Sequence, residues 1–184
     1  MLSSKSKIFL LSLARQTIAQ RCAGRPAPRA DNANAELAVQ CGVFVTLHDT
    51  DGELRGCIGY VEGVKPLAQS VIDMALSAAF RDPRFSPVTE RELKNIVIEI
   101  TVLSPLTPIQ STDAVVVGKH GLVATKGHNR GLLLPQVPVE HHWDRDTFLS
   151  HTCMKAGLKP DEWRKGAVQF EVFEGEVFNE KDLT

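Results

Sequence analysis

The sequence lacks the patterns that mark several common enzyme classes. It contains no G-x-x-x-x-G-K-[ST] loop for nucleotide phosphates, no G-x-G-x-x-G that opens a helix, and no G-x-S-x-G around a serine. These absences remove the usual support for phosphoryl transfer, for dinucleotide redox chemistry and for serine hydrolysis.

Paired cysteines are also absent. No two of the four cysteines form a C-x-x-C pair, which argues against a zinc ribbon and against a dense disulfide framework. We therefore expect reduced thiols in a cytoplasmic protein. The cysteines are Cys22, Cys41, Cys57 and Cys153.

The chain has little net charge. A formal charge of -1 over 184 residues gives no global attraction to nucleic acid or to anionic lipid. The one local basic cluster (Arg21, Arg25 and Arg29) lies in a segment rich in Pro and Ala, without aromatic residues that would stack on bases. We interpret it as a solvated connector, and a role in RNA binding would rest on this cluster alone.

No apolar run is long enough to span a membrane. Lys5 and Lys7 precede the apolar stretch 8–14, which superficially resembles a signal peptide, but Arg15 cuts it short. The apolar residues repeat at helical spacing, so the pattern predicts an amphipathic helix over 4–21 that packs on a core.

The remaining periodicity predicts an α+β fold with a mainly antiparallel sheet and flanking helices, because strand runs outnumber helices and short turns join them. Further helices are predicted at 65–82, at 89–93 with Thr89 and Glu92 as a capping box, and at 144–156. The predicted strands are 41–47, 53–61, 96–103, 114–117, 122–125, 131–134 and 168–178.

The most informative stretch is LRGCIG at 54–59, directly after an Asp-Gly turn. Side chains alternate along a strand, so Arg55 and Cys57 are predicted to share a face, where a guanidinium would favour the thiolate. Gly56 and Gly59 weaken a strand and mark a bulge or the close approach of a ligand or another backbone. Cys57 is thus either a reactive thiol or a packed cysteine, and the glycines suit backbone binding of a ligand.

A second candidate is the segment AFRDPRF at 79–85, in which two arginines flank an Asp-Pro corner. Arg81 and Asp82 could form a simple ion pair in a loop. Alternatively, Arg81 or Arg84 could bind a carboxylate or phosphate through a bidentate fork.

A lone carboxylate, Glu99, lies in a strand of isoleucine and valine. It is ordinary if its face is solvated. If that face is covered, the charge requires a partner, for which Arg55 and Arg81 are natural candidates.

Histidines are concentrated in the second half of the chain, and none pairs at a recognised metal spacing, so no metal site is predicted and no cofactor is identified. Of these we single out His120 as a candidate site residue. Gln136 ends the run GLLLPQV at 131–137, which predicts a buried strand; its amide either orients a ligand or lies on the surface.

These segments together resemble the AMMECR domain family, whose signature hexapeptide is LRGCIG. The resemblance covers about residues 5–180 and includes no departure within the hexapeptide, and it implies a single AMMECR-type domain. The other matching blocks are GVFVTL at 42–47, AFRDPRF at 79–85, IEITVLSP at 98–105, GLLLPQV at 131–137, WDRDTFL at 143–149, TCMKAGL at 152–158 and the closing FEVFEGEVF.

The resemblance implies two lobes around a cleft near the hexapeptide. Similar prokaryotic proteins are called AmmeMemoRadiSam system protein A and accompany a Memo-type protein and a radical S-adenosylmethionine protein, so these are the implied partners. The family has no assigned reaction.

Two functional hypotheses follow. The first is an enzyme that holds a small anionic or modified-residue substrate with Arg55 and Arg81, with Cys57 as nucleophile and Glu99 or His120 as base. The second is a binding or accessory module for a peptide, a small molecule or a partner protein, in which Cys57 only packs.

Overall fold

The computed structural model describes residues 2–30 and 34–182 and has two compact units. The first unit contains the described residues up to Leu103 together with those from Glu176 onwards, and the second contains Ser104–Gly175. Helices and antiparallel strands occur in both, so the predicted α+β class is confirmed. Within the described ranges, no helix is long and apolar enough to cross a membrane.

The first unit begins with a long helix, as predicted, and its first strand lies between its second and third strands in an antiparallel sheet. Its elements are α1 (Ser4–Cys22), α2 (Ala35–Ala38), β1 (Val43–His48), β2 (Leu54–Tyr60), α3 (Leu67–Phe80), α4 (Glu90–Leu93) and β3 (Val97–Leu103).

Among the described residues, the second unit contains the remaining strands and two further α-helices. Its elements are β4 (Thr107–Pro108), β5 (His120–Lys126), β6 (Asn129–Leu133), α5 (Gln136–Glu140), α6 (Arg145–Lys155) and β7 (Gln169–Asn179), the last of which ends in the first unit. Strand β5 pairs antiparallel with β6 and with β7, and β4 pairs with β7.

Strand β1 lies between β2 and β3 and is antiparallel to both. Its alternate residues Val43, Val45 and Leu47 are fully buried in a core that α1 and α3 complete. The other alternate residues therefore lie on the opposite face of this sheet. The predicted hairpin of β1 and β2 is confirmed.

Local capping explains where several helices begin. Thr89 and Glu92 form the predicted capping box at α4, because the Thr89 hydroxyl accepts from the Glu92 N–H while the Glu92 carboxylate accepts from the Thr89 N–H. Asp144 caps α6 by accepting from Thr147, and Gly157 follows this helix with φ of 75°.

Two predictions for the second unit are wrong. Residues 114–117 form no strand, because a 3-10 turn at Thr112–Ala114 leads into a loop whose Val115 packs into the core. Gln136 does not end a strand; β6 stops at Leu133, and the exposed Gln136 begins the short helix α5 after Pro135.

Gly56 provides a test of the packing between β2 and α3. A Cβ at this position would clash with the carbonyl oxygen of Ala78, which is backbone and cannot rotate away. We expect Gly56→Ala to lower the free energy of unfolding by about 1–3 kcal/mol, measured by urea denaturation. Ala in place of Gly ordinarily stabilises a strand, so an unchanged or raised stability would contradict the close approach.

Candidate functional site

Polar side chains cross the three strands of the first unit on the face opposite the core. Cys57 on β2 is the register partner of Thr46 on β1, which in turn is the partner of Glu99 on β3. His48 lies two residues beyond Thr46 and so on the same face. We call these four residues, Thr46, His48, Cys57 and Glu99, the polar face.

Cys57 is half-buried and has polar contacts from two directions. The Thr46 hydroxyl lies 3.3 Å from its Sγ and donates to it. Its backbone N–H donates to Asp82 Oδ2 at 2.9 Å, and its carbonyl accepts from Arg84 Nη2 at 3.2 Å. Side chain and backbone are therefore both oriented by neighbours.

Asp82 is the hub of these contacts. Its side chain is only 1% exposed and accepts four hydrogen bonds, one from the Cys57 N–H and three from the backbone N–H, Nε and Nη2 of Arg84. The Arg84 guanidinium, followed by the backbone N–H groups, holds the pKa of this carboxyl well below its usual range, although burial acts in the opposite direction. Asp82 therefore pairs with Arg84, and the suggested ion pair with Arg81 is wrong.

The Asp82–Arg84 pair occupies the edge of the sheet. Strand β2 pairs with β1 on one side, and no strand of the described residues pairs with its other side. Exposed edge groups are usually covered or blocked in native proteins. Here a carboxylate accepts from the Cys57 N–H and a guanidinium donates to its carbonyl, so two side chains take the place of a neighbouring strand.

Arg55 is engaged by a second carboxylate. Its Nε and Nη2 donate to Glu92 Oε1 at 3.1 and 3.0 Å, and Nη2 also donates to the carbonyl of Ser86 at 2.8 Å. Glu92 Oε2 meanwhile accepts from Thr89. The Thr89 N–H and hydroxyl together with Arg55 lower the pKa of Glu92 against the effect of burial. The guanidinium carbons of Arg55 and Arg84 lie 5.9 and 5.4 Å from the centroid of the Phe85 ring.

Glu99 has neither of the partners expected from the sequence. Its carboxylate, with 27% of the side chain exposed, lies 3.8 Å from His48 Nε2 and takes part in no hydrogen bond among the described residues. His48 Nδ1 lies 3.2 Å from the carbonyl oxygen of Gly52. Arg55 is instead paired with Glu92, and the Arg81 side chain is exposed at the end of α3.

Close packing inside the protein explains why both positions in LRGCIG are glycine. Gly56 lies against the backbone of Ala78, and a Cβ on Gly59 would clash with the ring of Phe44. A role for either glycine in contacting a ligand stays a prediction.

The remaining predicted residues lie in the second unit. His120 begins β5, where its Nδ1 accepts from the Val116 N–H at 3.1 Å and its Nε2 lies 3.9 Å from Glu174. Gln136 is exposed on α5. The structure thus brings Cys57 and Glu99 together on one sheet and places His120 and Gln136 in a different unit.

A groove of about 890 Å³ also belongs to the second unit. Trp163 and Phe170 are among its lining residues, as are Arg130 and Glu171, which lie 3.7 Å apart as an ion pair. No predicted site residue lines this groove, so the groove and the candidate site residues lie in different places.

The other three cysteines differ from Cys57 in their surroundings. Burial raises the pKa of Cys22, Cys41 and Cys153, so a smaller fraction of each thiol is ionised to the thiolate. All four thiols are free. No group of three or more His, Cys, Asp or Glu side chains in the described ranges is arranged to hold a metal ion.

Sequence reasoning missed three residues of the site. Thr46 and His48 could have been found from strand alternation, because they lie at even spacing on β1. Asp82 carried a local signal, the Asp-Pro corner, but its bond to Cys57 spans 25 residues of chain and has no sequence signature.

These features define an α+β protein whose first unit carries a cysteine-containing polar face. The loop after α3 is held beside this face by the hydrogen bonds of Asp82 and Arg84 to Cys57. The family model AMMECR1 matches residues 11–178, and the chain belongs to this family. A protein of Methanosarcina mazei is 46% identical over 94% of this chain and 90% of its own length, and the protein NEQ441 of Nanoarchaeum equitans is 40% identical over 93% and 98%.

A solved structure has the same fold. The crystal structure of the uncharacterized protein PH0010 from Pyrococcus horikoshii matches with a TM-score of 0.75 at 40% identity, covering 94% of this chain and 90% of that one. The family expected from LRGCIG and its companion blocks is thus confirmed, and none of the three relatives' names states an activity.

The contribution of the Asp82 carboxylate to the stability of the fold can be tested by Asp82→Asn. The Asp82 side chain is 1% exposed but that of Arg84 is 54% exposed, so the variant leaves no buried cation and loses only the charge of a buried acceptor. We therefore expect a loss of about 1.5–3 kcal/mol in unfolding free energy. The matched control is Asp73→Asn, which removes the partner of the half-exposed Lys65 and should cost less than about 1 kcal/mol.

The same variant has a defined pH dependence. The folded-state pKa of Asp82 is depressed, so its contribution is present above the pKa of an unfolded aspartate, about 4, and is lost as pH falls below that value. The stability difference between wild type and Asp82→Asn should therefore shrink in acid, as measured by urea denaturation at several pH values. A difference that stays constant from neutral pH to about pH 2 would contradict this account.

Proposed function

We propose that this AMMECR1-family protein binds a small ligand or a peptide side chain on the polar face, with Cys57 as a central contact. The observation that carries the proposal is the row of Cys57, Thr46 and Glu99, one residue on each of three adjacent strands and in register. Polar side chains that converge on a rigid sheet are typical of recognition sites.

The rigidity of the strand supports this role. Cys57 is held by Thr46 from one side and by Asp82 and Arg84 from the other, so a ligand would find its contacts already positioned. Positioning before binding reduces the entropy lost on association.

A second candidate is catalysis with Cys57 as nucleophile. The observation in its favour is the hydrogen bond from the Thr46 hydroxyl to Sγ, because a donor to sulfur stabilises the thiolate more than the thiol. Neither Glu99 nor His48 makes a hydrogen bond with Sγ, so a base would have to come from a substrate, from water or from movement of these side chains.

The anionic or modified-residue substrate and the Memo-type and radical S-adenosylmethionine partners stay predictions. An anion at Arg55 would share the guanidinium with Glu92, because Nε and Nη2 already donate to that carboxylate and the buried Nη1 has no hydrogen-bond partner. An accessory role would use the same face with a protein as ligand.

Binding can be tested with four simple probes: butylammonium, butyrate, inorganic phosphate and N-methylacetamide. We expect at least one to shift the backbone amide resonances of Thr46, Cys57 and Glu99 in proton–nitrogen correlation spectra of the full chain. Cys57→Ala should weaken this response, and Cys41→Ala, the matched change at a half-buried thiol outside the polar face, should not. Failure of all four probes to shift these resonances would count against the proposal.

Nucleophilic activation can be tested by alkylation with iodoacetamide, followed residue by residue with mass spectrometry between about pH 6 and 9. Cys57 should react faster than N-acetylcysteine, and Thr46→Val should slow it about fivefold, the effect of one hydrogen bond of about 1 kcal/mol. Cys22 and Cys41 in the same sample serve as internal controls and should react more slowly, since burial raises their pKa. A Cys57 no faster than N-acetylcysteine would exclude the catalytic candidate.

A further inference from the structure

One nitrogen of the Arg55 guanidinium has no acceptor. Its Nε and Nη2 donate to Glu92 Oε1, and Nη2 also donates to the carbonyl of Ser86. Nη1 is buried and makes no hydrogen bond with any described residue. A guanidinium nitrogen of this kind carries two N–H groups and can only donate. Both N–H groups of Nη1 therefore lack a partner within the part of the chain that the structure describes.

Two comparisons within the protein set this nitrogen apart. The other buried side-chain polar atom of the described residues without a hydrogen bond, Glu176 Oε1, lies 2.8 Å from the ammonium nitrogen of Lys7. Arg84 also donates through Nε and Nη2 to a carboxylate, but its side chain is 54% exposed, against 16% for Arg55. Water can hydrate the remaining donors of Arg84, whereas burial keeps it from Nη1 of Arg55. A buried donor of a charged group without an acceptor is costly.

The surroundings of Nη1 favour an uncharged acceptor. The charge of Arg55 is already balanced by Glu92, whose Oε1 lies 3.0 Å from Nη2. The hydrogen bonds from Thr89, together with Arg55, lower the pKa of this carboxyl and keep it ionised. A second carboxylate would lose its hydration on entering a buried site and would meet the like charge of Glu92. A carbonyl oxygen has a much smaller desolvation cost and accepts from the same N–H groups.

The half-buried ring of Phe85 lies beside this guanidinium. Its centroid is 5.9 Å from the guanidinium carbon of Arg55, and its chain neighbours Arg84 and Ser86 are exposed. A contact between a cation and a ring contributes little at a partly exposed position. Displacing this ring therefore costs little free energy.

We propose that the ligand of the polar face presents an uncharged amide carbonyl oxygen to Nη1 of Arg55, which it reaches when the Phe85 ring moves aside. Arg55 lies two residues before Cys57 on β2, so the two side chains share a face and one ligand contacts both. This inference rests on the proposed binding function and adds the chemical group by which the ligand is held. The acceptor is neutral, in contrast to the anion expected from two neighbouring arginines.

The test follows the side-chain N–H resonances of Arg55 in proton–nitrogen correlation spectra of the full chain, identified by their loss in Arg55→Lys. We expect N-methylacetamide to shift them, butyrate to bind about fivefold more weakly, and butylammonium, which has no acceptor, to leave them unchanged. Arg55→Lys should weaken N-methylacetamide binding about tenfold, because a hydrogen bond to a charged group is lost. The matched control Arg91→Lys makes the same exchange at an exposed arginine and should leave binding unchanged.

Glu92→Gln gives a readout that a purely structural role of Arg55 would not produce. Glutamine preserves the capping box but removes the competing charge. Butyrate should therefore bind about fivefold more tightly than to the wild type, while N-methylacetamide binding stays within about twofold. The matched control Glu90→Gln removes an exposed charge from the same helix and should change neither affinity. A variant that only loosened the fold would weaken both ligands.

Access to Nη1 is tested by Phe85→Ala. The ligand then has no ring to displace, so N-methylacetamide should bind about two- to fivefold more tightly. In the free wild type, the Nη1 hydrogens should exchange with water more slowly than those of the exposed Arg91.

A blocked amino acid, acetyl-alanine methylamide, distinguishes the two sources of the amide. Binding about tenfold tighter than that of N-methylacetamide identifies a peptide, and equal or weaker binding identifies a free small amide. Either result supports the amide class.

Several outcomes would overturn the inference. Nη1 hydrogens that exchange as fast as those of Arg91 would make water the acceptor. Binding of N-methylacetamide that survives Arg55→Lys, or that Phe85→Ala leaves unchanged or weakens, would place the amide elsewhere. Butyrate that shifts the Arg55 resonances while N-methylacetamide does not would make the ligand anionic. In each case a probe that still shifts the backbone amides of the polar face leaves the proposed function standing, and that function fails only if no probe shifts them.

Discussion

One buried carboxylate connects the loop after α3 to the edge strand that carries LRGCIG. Asp82 accepts the outward N–H of Cys57 and three donors of Arg84, while Arg84 returns a hydrogen bond to the Cys57 carbonyl. An edge strand otherwise leaves such groups to water or to another chain. Because the backbone of Cys57 is fixed in this way, its side chain is held in register with Thr46 and the polar face has a defined geometry.

Ion pairs within the protein also determine the electrostatics around Cys57. Arg84 and Arg55 each have a carboxylate partner inside the protein, at Asp82 and Glu92. Both arginines hold the loop after α3 in place, because Arg84 pairs with Asp82 and Arg55 donates to the Ser86 carbonyl. Two arginines near a cysteine would suggest an anion site from sequence alone, but paired guanidinium groups have less capacity for a further anion. These pairs leave one buried donor without a hydrogen-bond partner, Nη1 of Arg55.

Local patterns predicted the elements well, and long-range pairing was the part that they could not predict. Strand alternation placed Arg55 and Cys57 on one face, and the spacing of Thr89 and Glu92 identified the capping box, because both depend on residues close in the chain. The bond from Cys57 to Asp82 and that from Arg55 to Glu92 cross 25 and 37 residues, so only the folded chain reveals them. The wrong prediction of a strand at 114–117 shows that a local pattern can also mislead. Its apolar run includes Val115, which packs into the core although it lies in a loop.

Two carboxylates of the same unit differ in how the fold stabilises their charge. Asp82 is buried and has four donors, which makes its charge favourable in the folded state. Glu99 accepts no hydrogen bond from the described residues, but 27% of its side chain is exposed and neither of its oxygens is a buried atom without a partner, so water can hydrate its charge. The polar atom of this region that burial does leave without a hydrogen-bond partner is Nη1 of Arg55. The fold therefore satisfies the Asp82 carboxylate completely and leaves its unsatisfied donor on the arginine of LRGCIG.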